Sequence, residues 1–190
     1  GIRRVVSRRL REQQMGGVEA QRERQRTLIA AMRASPIALH IDTANRQHYE
    51  VPAEFYEHVL GPRRKYSACL WSEGVTELAD AEEAMLSLTA ERAQIEDGHT
   101  ILDLGCGWGA FALWAAERFP RSRIFALSNS QAQRAYIEAQ ASHLHLADRL
   151  HVSTGDVSTF VPDQRFDRVV SIEMFEHMRN VEALLDRIAG

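Results

Sequence analysis

The chain has 190 residues, 45% hydrophobic and 26% charged, a balance that suits a globular fold with a real core. Its formal charge of −3 gives no global attraction to nucleic acid, so no nucleic-acid partner is expected; no apolar run nears the roughly 20 residues of a membrane helix. The two cysteines, Cys69 and Cys106, make neither a disulfide framework nor a zinc spacing, and a reducing, cytoplasmic setting is expected.

Residues 1–34 hold nine arginines and three glutamates. No apolar segment follows this basic start, so no secretory signal is expected, and Gly1 in place of Met implies a natural start further upstream. Val18 to Met32 reads as a helix with Val18, Leu28, Ile29 and Met32 on its apolar side. The basic surplus reads first as a solvated helix face, and second as a contact to phosphates or lipid headgroups. Residues 35–75 are irregular and aromatic, with Pro36, Tyr49, Pro52, Phe55, Tyr56, Tyr66 and Trp71, and Gly61-Pro62 marks a turn. Such a segment suits a lid over a cleft, although Phe55 and Tyr56 equally suit a core. Residues 1–76 are therefore set apart as an N-terminal helical and lid region, and 77–190 as the core.

In the core, Leu78, Ala81, Met85, Leu88, Arg92 and Ile95 recur at helical spacing, which predicts a helix over 77–95 with Thr76 as its N-cap. Asp97-Gly98 breaks the chain. Strands are then expected at Thr100–Leu104, Arg123–Leu127, Leu150–Thr154 and Phe166–Ile172. Helices are expected at Ala110–Arg118, Gln131–His145 and Val181–Ile188. This alternation argues for an α/β, Rossmann-like parallel sheet with right-handed crossovers and helices on both faces. Four strands leave the last one's edge and much of one face uncovered, so a piece of a longer protein, truncated after the fourth strand, is expected.

Asp103-Leu104-Gly105-Cys106-Gly107-Trp108-Gly109 joins the first strand to its helix. Glycines let the chain turn sharply and let a ligand approach the backbone, and the helix N-terminus offers amide donors. The spacing Gly105-x-Gly107-x-x-Ala110 also satisfies the dinucleotide fingerprint, and a glycine-rich turn without a ligand is a third reading. A nicotinamide site usually wants an acid at the end of the second strand, where this chain reads Ser128-Asn129-Ser130. An acid ends the third strand instead, at Asp156-Val157, where a carboxylate can accept from an adenine amino group. With Asp103, this favours S-adenosylmethionine over a nicotinamide cofactor.

After the fourth strand comes Ser171-Ile172-Glu173-Met174-Phe175-Glu176-His177-Met178. Open α/β sheets place their chemistry at such carboxyl ends. If this turn is helical, Glu173, Glu176 and His177 share one face. Two carboxylates beside an imidazole could attract a cationic amine, remove its proton and hold the imidazole in place. The same trio could ligate a metal, or be the polar start of a helix.

Further stretches extend the pattern: Gln47-His48-Tyr49, Leu60-Gly61-Pro62, Lys65-Tyr66-Ser67, Ala81-Glu82, Glu91-Arg92-Ala93-Gln94, Ser128-Asn129-Ser130 with Gln133, and Phe166-Asp167-Arg168. With the glycine loop and Ser171 to His177, they resemble the superfamily of cyclopropane-fatty-acid synthases and coclaurine-type N-methyltransferases. The resemblance implies a class I methyltransferase fold with a helical lid and S-adenosylmethionine as cofactor. It implies cofactor contacts at Tyr66, Ser67, Gly105, Gly107, Ser128, Asn129, Gln133, Asp156 and Val157. The synthases hold a bicarbonate base partly through a cysteine directly after the Tyr-Ser pair, and tend to have a small residue where this chain has Glu173. Here Ala68 follows Tyr66-Ser67, Cys69 comes one residue later, and Glu173 matches the glutamate of the N-methyltransferases. Methyl transfer to a small-molecule amine is thus the expected activity, with Glu173, Glu176 and His177 as the catalytic group. A synthase acting on unsaturated phospholipid acyl chains is the alternative, for which the basic N-terminal helix would touch the membrane surface. A non-catalytic cofactor-binding fragment is the third reading. The sequence names neither the acceptor nor an oligomeric state.

Overall fold

The computed structural model describes residues 1–39 and 53–190, so the Gln47-His48-Tyr49 stretch and Pro52 lie outside the described residues. Alternation along short strands builds the sheet. In β1 (Thr100–Leu104) Ile101 and Asp103 face one way, Leu102 and Leu104 the other. Flanking strands β2 (Arg123–Ser128) and β3 (Leu150–Thr154) repeat this, and β4 (Arg168–Val170) pairs on the other side of β1. All pairs are parallel and the order is β3-β2-β1-β4. Parallel neighbours need long crossovers, and two helices supply them: α5 (Ala110–Arg118) between β1 and β2, and α6 (Gln131–His143) between β2 and β3.

The core lies on the Ile101 face. Register sets Ile101 beside Ile124 and Ile124 beside Leu150, while Phe111, Trp114, Ile137 and Ala141 pack on them from α5 and α6. A further helix, α4 (Leu78–Arg92), adds Leu86 and Ala90 to the same core. The opposite face is apolar at β1 and β2 but carries exposed His151 and Ser153 on β3.

Some expected bounds moved. The cap of α4 is Glu77, not Thr76, and its buried residues are Ala81, Glu82, Leu86 and Ala90. Periodicity favoured Leu78 and Met85 because a hydrophobic pattern cannot see that a glutamate is buried. The fourth strand is only three residues long: Arg168–Val170 pair with Ile101 to Asp103, and at its ends the Asp167 N–H and the Ser171 Oγ donate to the Thr100 and Leu104 carbonyls. Phe166, expected in that strand, stacks edge-on against Phe125 instead, at 5.5 Å. The helix expected at Val18 to Met32 is α2 (Gly17–Arg33), and a further helix, α1 (Ile2–Gln14), precedes it across the break at Met15-Gly16. Neither buries any residue, so Val18, Leu28 and Ile29 form no core side. A short helix, α3 (Ala53–Val59), occupies part of the aromatic region.

The chain forms two compact units, one of Gly1–Leu39 with Met178–Gly190, the other holding the sheet up to His177. In the first, α2 meets α7 (Val181–Ala189), and Asn180 ties them. Its Oδ1 caps α7 by accepting from the Ala183 N–H at 3.0 Å. Its Nδ2 donates to the Arg33 and Ser35 carbonyls, each at 3.0 Å. Losing a cap costs about 1 kcal/mol, and each hydrogen bond adds about 1 kcal/mol. Asn180→Ala should therefore destabilise this unit by about 3 kcal/mol, and Asn180→Asp, which keeps only the cap, by about 2 kcal/mol. Native-state hydrogen exchange of α2 and α7 amides reads both; equal protection in all three proteins would refute the tie.

Candidate functional site

In a β3-β2-β1-β4 order the strands stay parallel but the winding of the chain across the sheet reverses between β1 and β4, and the crevice beyond those carboxyl ends is where such sheets bind ligands. Four strand ends are stitched together there. Gly105 and Cys106 N–H both donate to the Leu127 carbonyl at 3.0 Å, and Gly155 N–H donates to the Ser128 carbonyl at 2.9 Å. Ser171 Oγ donates to the Leu104 carbonyl at 2.8 Å. The glycine loop, Ser128-Asn129, Asp156-Val157 and the segment from Glu173 to His177 therefore leave one edge of the sheet, as the sequence pattern requires.

The loop has room for a ligand at its middle. Gly107 sits at φ +53°, and no atom lies within 4 Å of where a side chain would point. Beside it, buried Ser128 donates through Oγ to Gln133 Oε1 at 2.6 Å, and Ser130 N–H donates to Ser128 Oγ at 3.0 Å. Gln133 Nε2 is buried with no partner, a donor that a ribose hydroxyl would satisfy. Asn129 is exposed at the strand end. Asp156 holds its own turn, its two oxygens accepting from the Ser158 N–H at 2.7 Å and the Ser158 Oγ at 2.6 Å. Each oxygen keeps a lone pair for a further donor. The residues present thus fit an adenosyl cofactor.

Asp103 works from beneath the loop. It is 2% exposed, and its carboxylate accepts from the Ala112 N–H in the first turn of α5. Gly109, the N-cap of α5, has no side chain to do this, so Asp103 serves as the cap. Burial pushes its carboxyl up to about 7, and the Ala112 bond opposes this only in part. The oxygen Oδ2 has no partner.

Tyr66 and Ser67 belong to a loop held by Glu82. This fully buried carboxylate of α4 accepts from the Arg63 N–H at 3.0 Å and the Lys65 N–H at 3.1 Å. Gly61 is required here, because a side chain would fall onto that carboxylate. Lys65 is buried, its Nζ donating to Ser67 Oγ at 2.5 Å and to the Ala68 carbonyl at 2.7 Å. Tyr66 is half exposed, in edge contact with Tyr56 at 5.3 Å; Tyr56 in turn touches Trp108 of the glycine loop at 5.0 Å, and Trp108 touches Tyr136 at 5.5 Å. Arg64 pairs with Glu57 and lies over the Tyr136 ring at 4.0 Å. An aromatic string therefore joins loop, glycine turn and α6.

Glu173, Glu176 and His177 are exposed and do not share a helix face. A single 3-10 turn, Phe175–His177, holds the last two, while Glu173 precedes it at φ +49°. The carboxylate of Glu173 turns instead toward the loop, Oε1 accepting from the Ala68 N–H at 2.7 Å. That contact brings Glu173 to the Tyr66-Ser67 segment. Among the described residues no three His, Cys, Asp or Glu side chains gather as a metal site would require. The sequence motifs assign no role to Lys65 and Glu82. Their signal was a charged residue, Glu82, four places before Leu86 and eight before Ala90 on the apolar side of α4.

A family model described as mycolic acid cyclopropane synthetase matches residues 40–185. An (S)-coclaurine N-methyltransferase of Thalictrum flavum subsp. glaucum is 40% identical over 161 residues, 85% of this chain and 44% of that protein. The cyclopropane-fatty-acyl-phospholipid synthase of Escherichia coli (strain K12) is 29% identical over 138 residues, 70% of this chain and 33% of that protein. The crystal structure of coclaurine N-methyltransferase bound to N-methylheliamine and SAH superposes with a TM-score of 0.93 at 39% identity, covering 99% of this chain and 54% of that one. The chain thus spans about half the length of the proteins it matches.

Two outcomes follow from the buried carboxyls. The Asp103 carboxyl has a folded pKa above its unfolded value, so its stabilising effect is full below pH 4 and is lost as pH rises through 7. The loss is roughly 4 kcal/mol. Asp103→Asn keeps the acceptor for Ala112 but does not titrate; its melting temperature relative to the parent should rise between pH 5 and pH 8, and a constant difference would refute the shift. Glu82→Ala leaves two amides unpaired and should cost about 2–6 kcal/mol in urea unfolding, with Glu82→Gln costing less.

Proposed function

The chain belongs to the mycolic acid cyclopropane synthetase family and has the Rossmann-like class I methyltransferase fold; on that premise we propose that it takes part in S-adenosylmethionine-dependent N-methylation of a small-molecule amine. One observation carries the choice within the family. The position after Tyr66-Ser67, where the synthases have their cysteine, is Ala68, and its N–H is taken by the Glu173 carboxylate at 2.7 Å. Cys69 Sγ sits against the Ser67 carbonyl at 3.8 Å. A carboxylate fixed in that place suits an ammonium ion better than an alkene. The higher identity to N-methyltransferases than to the synthase agrees.

When bound, the cofactor supplies an electrophilic methyl on sulfur. The protein has three tasks. Gln133 and Ser128 hold the ribose side and Asp156 and Val157 the adenine, while Gly105 and Gly107 give the backbone close approach. Glu173 attracts the acceptor as its ammonium. His177 takes the proton that frees the nitrogen lone pair, and Glu176 orients His177. The nitrogen must then lie in line with the S–CH₃ bond, which is a matter of positioning more than of added chemistry. The aromatic segment around Tyr56 and Tyr66 serves as the lid over this crevice.

Incubation with S-adenosylmethionine and N-methylheliamine's unmethylated parent amine, read by mass spectrometry, should give a product heavier by one methyl in place of hydrogen. His177→Ala should lower turnover at least 100-fold while S-adenosylhomocysteine affinity, read by calorimetry, changes less than about threefold. Methylene addition to unsaturated phospholipid vesicles with no amine product would favour the synthase reading. Unchanged turnover in His177→Ala would remove that residue from the mechanism.

A further inference from the structure

We propose that Lys65 is a positioning residue that couples the cofactor end of this site to the carboxylate at its acceptor end, by clamping Ser67 and Ala68 against Glu173. The terms cofactor and acceptor rest on the methyl-transfer reading above; the clamp itself rests on contacts alone.

Lys65 is 4% exposed, an unusual place for an ammonium ion. Its Nζ donates to two neutral acceptors, Ser67 Oγ at 2.5 Å and the Ala68 carbonyl at 2.7 Å. A buried charge spent on two oxygens of its own loop fixes that loop's path. Ala68 is then gripped from both sides, by Lys65 at its carbonyl and by Glu173 at its N–H, 2.7 Å away. Its methyl side chain is exposed and contributes no anchor. Lys65 is itself anchored, since its N–H is held by buried Glu82. The line therefore runs Glu82, Lys65, Ala68, Glu173. It ends on a residue whose φ of +49° is a strained value for a side chain of this kind, so the carboxylate's grip on Ala68 helps set its direction.

Charge supports the same picture. Burial lowers the Lys65 pKa, and Cys69, Glu173 and Glu82 oppose it. The groups facing the ammonium are thus the loop cysteine, the strand-end glutamate and the helix glutamate. Exchange of the ammonium for a neutral group releases Ser67 and Ala68 together, so the cofactor contact and the Glu173 contact should weaken as one.

The test uses the 190-residue chain and its Lys65→Met and Glu173→Gln variants. In Lys65→Met the Ala68 amide should exchange at least tenfold faster, while Leu102 of the central strand changes less than twofold. S-adenosylhomocysteine affinity should fall three- to tenfold and N-methylheliamine affinity about tenfold. The double variant should bind N-methylheliamine no more weakly than Glu173→Gln alone, because the lysine acts through that carboxylate. Additive losses would overturn the coupling. Glu173→Gln changes an exposed residue, and it gives a reading even if Lys65→Met does not fold. The Lys65 ammonium resonance should shift in that variant, and an unmoved resonance overturns the proposal. Absence of S-adenosylhomocysteine binding by the parent chain overturns the proposed function and this coupling with it. Normal binding with unchanged exchange at Ala68 overturns the coupling alone.

Discussion

The Glu82 carboxylate lies wholly inside the protein and receives two backbone N–H groups from the loop beside it. A buried carboxylate is costly unless its oxygens are satisfied, and here each oxygen has an amide. The same bonds leave the loop little freedom, since Arg63 and Lys65 are tied at consecutive alternate positions. Helix α4 thus acts on the site although it contributes no group to the crevice. It is anchored in the core by Leu86 and Ala90 on one side of Glu82 and by Ala81 next to it. Neighbouring Glu83 extends the role outward by pairing with Arg63 and accepting from the Trp114 indole.

The sheet and the loop meet through side chains that carry no apolar signal. Asp103 caps α5 from below, Ser128 and Gln133 close the second strand end, and Ser171 closes the fourth. Each is a polar group that completes backbone hydrogen bonding at a place where the regular ladder stops. The strand ends therefore stay in register with one another. That makes the floor of the crevice rigid, and the aromatic string from Tyr66 to Tyr136 ties the proposed lid to the glycine loop and α6.

The core elements were legible in the sequence because alternation and helical spacing are direct traces of burial. β1, α5 and β3 have their expected bounds, and the glycine loop falls where strand meets helix. The errors have physical causes. Thr76 has the side chain of a cap, but the helix begins one residue later, where Glu77 makes no side-chain cap bond. The apolar side of residues 18–32 was a real pattern that no core element covers within its unit. In the site, strand-end position brought Ser128, Asp156 and Glu173 to one edge. Helical spacing misjudged the trio from Glu173 to His177, since φ at Glu173 is positive and the turn is 3-10. Lys65 and Glu82 were visible as motif members only. What they do depends on a contact 17 residues apart in sequence, which no local pattern encodes.

The unit that joins Gly1–Leu39 to Met178–Gly190 has a consequence for the order in which the chain folds. The Arg33–Glu182 and Arg33–Asn180 contacts span 149 and 147 residues. Closing so long a loop is slow and entropically costly when the intervening chain is unfolded. On a ribosome α1 and α2 emerge well before α7 and must wait for it, while β1 to β4 lie between them in the chain. The arginine-rich segment of α1 and α2 thus reaches its partner only after the whole chain between them has been made, and its charge favours a hydrated state in the interval.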